Sequence, residues 1–154
     1  MKISGQHRLS MHYRAVWSSL NDPDVLQRCI KSCDSVERID VDHFLLKFTI
    51  RIGLLRKKLV ADVRVIESDL PQYYSLIVEV DAGLAGKVSG QTEVELVDEG
   101  EHTQLNYDAN IQLSGWLGRL DLPFLKDTAR RQMHRFIENL VLVSVEKEIV
   151  NDEA

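Results

Sequence analysis

LPFLKDTARRQMHRFIENLVLVSVEKE, residues 122–148, decides the fold. Leu125, Ala129, Met133, Phe136, Ile137, Leu140 and Val141 recur at steps of three and four, the period of one helix face. Lys126, Arg130, Arg131, Arg135 and Glu138 take the other face. Pro123 suits a first turn, where its missing N–H costs nothing, and Asp121 before it can cap free N–H groups. About 25 residues at a rise of about 1.5 Å make a rod of about 38 Å. A lone helix of that length buries its stripe only against a large concave sheet.

The chain upstream supplies one. In His43–Ile52, Leu46, Phe48, Ile50 and Ile52 point one way and Lys47, Thr49 and Arg51 the other, the alternation of a half-buried strand. Val36–Val41 comes before it. Leu59, Ala61, Val63 and Val65 alternate within 57–67, as do Tyr74, Leu76, Val78 and Val80; then Val88, Gly90, Thr92, Val94 and Leu96; then Leu105, Tyr107, Ala109, Ile111 and Leu113. Turn signals separate them at Gly53-Leu54-Leu55, Pro71, the loop 81–86 and Asp98-Glu99-Gly100-Glu101. Strands joined by short turns pair with their neighbours, so an antiparallel meander is expected.

Further back, residues 2–9 alternate weakly and can open the sheet at an edge. Ser10 is the candidate cap of a helix carrying Val16, Trp17 and Leu20 on one face. Asp22 caps a second, with Pro23 in its first turn and Val25, Leu26, Cys29 and Ile30 as its apolar side. The predicted architecture is α+β: a curved antiparallel meander of about seven strands around a long C-terminal helix, with two short helices after the first strand. One domain over residues 1–150 and a short tail at 151–154 are expected.

Composition narrows the function. Of the 154 residues, 44% are hydrophobic and 28% charged, an ordinary balance for a globule, and a net charge of −5 argues against nucleic acid as a partner. No run of 18 apolar residues marks a membrane span, and MKISGQHRLS has no signal-peptide core, so a cytoplasmic chain is expected. Cys29 and Cys33 are the only cysteines; two thiols cannot fill a tetrahedral site, and reduced, packed thiols are predicted, with no metal and no cofactor. His7, His12, His43, His102 and His134 are scattered, and no nucleotide-binding, zinc-protease or hydrolase motif occurs. No catalytic residue is assigned.

The run NDPDVLQRCI (21–30), followed by CDSVE (33–37), resembles the CoxG family of carbon monoxide dehydrogenase subunits, within the helix-grip superfamily that includes START-like, Bet v 1-like and polyketide-cyclase-like proteins. MKISGQHRL (1–9), Ala85-Gly86 with Gly90, TQLNY (103–107) and GWLGRL (115–120) carry the resemblance across roughly residues 1–140. This chain departs from the family at Lys31-Ser32, usually Pro-Gly, at Gly53-Leu54, usually Gly-Pro, and at Pro123. It stops at Ala154, short of the membrane-associating tail of some relatives, so permanent anchoring is not expected.

The resemblance implies an elongated hydrophobic cavity and an accessory role beside a molybdenum hydroxylase-type carbon monoxide dehydrogenase, linking it to the membrane and its quinone pool. A quinone or lipid in the cavity is the natural extension. Phe48, Ile50, Leu59, Val63, Leu76, Val78, Tyr107 and Ile111 would face Leu125, Ala129, Met133, Phe136 and Ile137, with Trp17 and Trp116 closing the ends; the same residues would also make a dry, packed core. A small cyclase or hydrolase in the same pocket is the alternative, with Tyr74, Thr92 and Tyr107 as its inward polar groups. In this superfamily the third- and fifth-strand turns flank the entrance. Here they carry Leu54, Leu55 and Leu84, with Arg51, Arg56, Lys57 and Lys58 around the first: a candidate for peripheral contact with the inner face of a membrane, or for a partner's groove, unless the loop folds down. Leu140-Val141-Leu142-Val143 is apolar all round and could pair with a partner or a second copy, making a homodimer.

Overall fold

The computed structural model describes residues 1–153 apart from Gly53 and Leu70; for Ile52, Leu55 and residues 151–153 it describes the backbone alone. The chain runs strand β1 (Lys2–Leu9), helices α1 (Tyr13–Leu20) and α2 (Pro23–Cys29), then strands β2 (Cys33–Asp40), β3 (His43–Ile52), β4 (Leu55–Asp69), β5 (Tyr73–Asp81), β6 (Lys87–Glu99) and β7 (His102–Leu113), and closes with helix α3 (Leu122–Glu153). Short 3₁₀ turns lie in the β5–β6 connection, Gly83–Ala85, and between β7 and α3, Gly115–Arg119.

Period-two alternation and tight turns give the meander its order, β1-β7-β6-β5-β4-β3-β2, every pair antiparallel. The first strand joins at the far edge, pairing with β7 from Lys2↔Asn110 to Leu9↔Thr103. The seven-stranded sheet curves around α3, with α1 and α2 across one end. Two buried clusters fill the concave side. The larger joins Leu9, Val16, Val25, Leu96, Leu105 and Leu140; the smaller is Phe44, Leu46 and Ala61.

Several expected boundaries move. His12, not Ser10, caps α1, its side chain accepting the Arg14 N–H at 3.3 Å. The reason lies one residue back: Met11 is buried and its carbonyl accepts from Thr103 Oγ1 at 2.7 Å, which ties residue 11 to β7 and delays the helix. At α2 the expectation holds, Asp22 accepting the N–H groups of Asp24 and Val25 with Pro23 in the first turn. The second strand starts at Cys33 rather than Val36, and β4 extends past 57–67 in both directions. Without a glycine or proline to break it, α3 continues past Glu148 and takes in residues 151–153, read from sequence as tail.

Where the 3₁₀ turns meet, backbone approaches backbone. A Cβ on Gly86 would lie 2.0 Å from the Ser114 carbonyl oxygen, and Gly86 and Gly115 both have positive φ. This crossing accounts for the Ala85-Gly86 motif.

Candidate ligand cavity

The two halves of α3 are held differently. In the C-terminal half, Leu140 is fully buried and Val143 nearly so. Ser144 Oγ donates to the Leu140 carbonyl and bonds Ser19 Oγ at 2.8 Å, Asn139 Nδ2 donates to the Cys29 carbonyl at 3.3 Å, and Arg28 pairs with Glu146 at 2.5 Å. Lys147 closes this clamp on Asp22. Burial works against the Asp22 charge, but Lys147 and the two capping N–H groups outweigh it and hold the carboxyl below the usual carboxylate range. That contribution is present above the ordinary carboxylate pKa and is lost as pH falls through the lowered one.

The middle of α3 spans the sheet without filling it. Beneath lies a cavity of about 1000 Å³. Its sheet side is Leu46, Val63, Leu76, Val78, Val94 and Leu105; its other walls are Trp17 and Leu20 of α1, Leu26 and Cys29 of α2, and Ala129, Met133, Phe136 and Ile137 of α3. A smaller chamber of about 230 Å³ adjoins it, lined by Ile3, Val88, Gly90, Ala109 and Ile111. Val78, Thr92, Tyr107, Ala129 and Met133 border both. The smaller chamber is left open where Gly90, with no side chain, and the small side chains of Thr92, Ala109 and Ala129 line it. Ala61, small and inward as well, packs with Phe44 and Leu46 instead.

Among the residues expected at the cavity, Trp17, Ile50, Val63, Leu76, Val78, Tyr107, Ala129, Met133, Phe136 and Ile137 line the main chamber and Ile111 the smaller one. Four do not line it. Phe48 packs onto the Phe44–Leu46–Ala61 cluster, and Leu59 is its cross-strand partner. Leu125 is half-buried outside both chambers, and Trp116, 60% exposed on the 3₁₀ turn, closes neither end. Trp17 instead packs edge-on to Tyr74, ring centres 5.1 Å apart.

The polar groups inside are neutral. Burial pushes the Tyr74 phenol well above its ordinary range; burial also raises Tyr107, against an opposing pull from Arg130. Both residues line the main chamber, and no hydrogen bond is found to either phenol among the described residues, which leaves each hydroxyl free to donate. Burial pushes the Cys29 thiol up to about 11 despite Arg28, and raises Cys33 too; protonated thiols are poor nucleophiles and poor metal ligands. Among the described residues no group of acidic, His and Cys side chains could hold a metal. Tyr107 also closes the seam between β1 and α3. It lies over Gly5, where a Cβ would come within 2.7 Å of the ring, and stacks on His7 at 5.9 Å. His7 in turn meets His134 at 5.8 Å; burial, and then His134, hold its pKa down.

Exposed lining residues mark the mouth: Arg28, Lys31 and Ser32 at the end of α2, and Gln132 and Arg135 on α3. It opens between the α2–β2 turn and the middle of α3, not at the third- and fifth-strand turns. The side chain of Leu55 lies outside the described residues, and Arg51, Leu54, Arg56, Lys57, Lys58 and Leu84 line neither chamber. Lys57 does not ring the hairpin as a free cation either; it donates to the Ala82 carbonyl and ties the β3–β4 hairpin to the loop after β5. Leu54 and Leu84 are fully exposed on those neighbouring loops, and Trp116, Leu122 and Phe124 are exposed on the segment that follows β7.

Sequence reasoning missed the mouth residues, yet one signal pointed there. Ser32 stands where relatives usually have glycine, and its φ is +63°. A left-handed non-glycine residue costs about 1–2 kcal/mol, and glycine gives back about 0.5–1 kcal/mol in unfolded-chain entropy. Ser32→Gly is therefore expected to stabilise the fold by about 0.5–1 kcal/mol, read as a higher urea midpoint at unchanged slope.

A curved sheet gripping a helix over an open apolar cavity defines a helix-grip, START-like domain. The solved structures agree. A conserved protein from Geobacillus kaustophilus superposes with a TM-score of 0.84 at 26% identity, covering 95% of this chain and 96% of its own. A START superfamily protein from Mycobacterium smegmatis gives 0.72 at 12%, covering 94% and 97%, and Ara h 8.0201 gives 0.67 at 10%, covering 95% and 98%. A model of the CoxG family of carbon monoxide dehydrogenase subunits matches residues 5–143, and the chain belongs to that family. No curated protein matches it.

Proposed function

We propose that this chain is a non-enzymatic accessory protein that holds a hydrophobic ligand, a quinone or a lipid-like molecule, and serves a molybdenum-containing carbon monoxide dehydrogenase at the membrane. The observation that carries this reading is the cavity of about 1000 Å³, with mainly apolar walls and a mouth at the surface. Flexible Met133 and the faces of Trp17 and Phe136 suit a flat or chain-like guest. Family membership suggests the dehydrogenase, and a quinone guest would connect it to the quinone pool whereas a lipid guest would tie it to the membrane.

No described helix is long and apolar enough to cross a membrane. Contact with the inner face of the bilayer would instead be peripheral, through exposed Leu54 and Leu84 with Arg51, Arg56 and Lys58 beside them. Leu142, Val145 and Ile149, exposed along one stripe of α3, offer a partner enzyme or a second copy a surface to pack on. The competing reading, a cyclase or hydrolase, would need Tyr74 or Tyr107 to move a proton, and burial disfavours ionising either.

Native mass spectrometry of the purified protein, with solvent extraction of the bound material, tests the proposal. A quinone or lipid near one per chain is the expected result. A ligand-free mass, with no uptake of added ubiquinone or phospholipid, would overturn it in favour of a structural adaptor.

A further inference from the structure

The charge at the mouth is one-sided. The chain carries more acidic than basic residues, 24 against 19, yet the residues lining the main chamber include Arg28, Lys31 and Arg135 and no carboxylate. Arg28 is occupied by Glu146. Lys31 and Arg135 have no carboxylate within ion-pair distance among the described residues, and both are exposed, Lys31 in the α2–β2 turn and Arg135 on α3. Behind them the walls turn apolar at once, through Ile30, Leu46, Phe136 and Ile137. An acidic group at the opening joined to a long apolar body would satisfy both regions together; a wholly neutral guest would leave the two cations facing water.

We infer that the guest is an acidic amphiphile, its single carboxylate or phosphate held between Lys31 and Arg135 and its hydrocarbon in the chamber. This rests on the reading of the cavity as a ligand site and selects an acidic lipid over a neutral quinone. Rim ion pairs are solvated, so the selectivity is modest and falls as salt rises.

The test compares oleate with oleyl alcohol, the same chain without the charge, by displacement of a neutral naphthylamine dye from the whole protein. Oleate is expected to bind about fivefold more tightly than the alcohol at low salt. In Lys31→Gln/Arg135→Gln, two exposed positions, oleate should fall to the alcohol's affinity while the alcohol is unchanged. Equal affinities in the unaltered protein, or a preference that survives the double substitution, would overturn the inference and leave the cavity standing. If neither compound displaced the dye, the cavity reading would fall and the inference with it. Oleate carries a carboxylate; repeating the comparison with a monoalkyl phosphate distinguishes the two acidic heads.

Discussion

Replacing Leu140 by alanine is expected to cost about 3–5 kcal/mol of folding stability. Leu140 is fully buried within the larger cluster, where α1, α2, the sheet and α3 converge. It sits in the clamped half of α3, away from the cavity wall, so the void left behind opens among packed neighbours rather than joining existing free space. Transfer of the lost methyl groups and the unrelaxed hole both count, which puts the cost in the upper part of the range for such changes. Domains of this size hold only about 5–15 kcal/mol in total. Urea unfolding followed by circular dichroism would show a large fall in midpoint at similar slope. A loss under about 1 kcal/mol would mean that α3 is not seated by this residue.

The second large effect is on binding. Ala129→Trp is expected to weaken uptake of a hydrophobic guest by about 10–100-fold while leaving the fold intact. Ala129 borders both chambers, facing Thr92 and Tyr107 across the place where they adjoin. An indole there would occupy the junction that the small residues leave open. Ligand and indole would compete for one volume, and overpacking typically costs about 1–3 kcal/mol, equivalent to that range of affinities. Stability should change little, because the new ring fills space instead of displacing packed atoms. Dye binding and thermal melts on the same sample separate the two. Undiminished binding with a normal melt would place the guest away from the junction.

The order of elements was legible because each rule acts locally. Alternation in β3 to β7, Asp22-Pro23 at the head of α2 and the stripe of α3 all depend on neighbours along the chain. What escaped depends on neighbours in space. Parity put Phe48 and Ile50 on the same side, but only the packing of Phe44, Leu46 and Ala61 covers one and leaves the other on the chamber. Trp116 had an aromatic's burial preference and no means of showing that its 3₁₀ turn projects outward. The mouth followed from where α3 is clamped, which Asn139, Ser144 and Lys147 decide through partners more than 100 positions away. Lys31-Ser32 was visible as a departure from the family, though not as the rim of an opening.

The pairing of β1 with β7 bears on how the protein is made. The first strand leaves the ribosome about five to twenty seconds before its partner at typical rates of synthesis. Until β7 arrives, Ile3 and Leu9 lack their neighbour, and the apolar face of the growing meander waits uncovered for α3, the last element to emerge. Such long-range closure slows folding and leaves unpaired edges open to other chains meanwhile. A nascent chain of this protein thus keeps that apolar face uncovered, and prone to association, until its final helix has emerged.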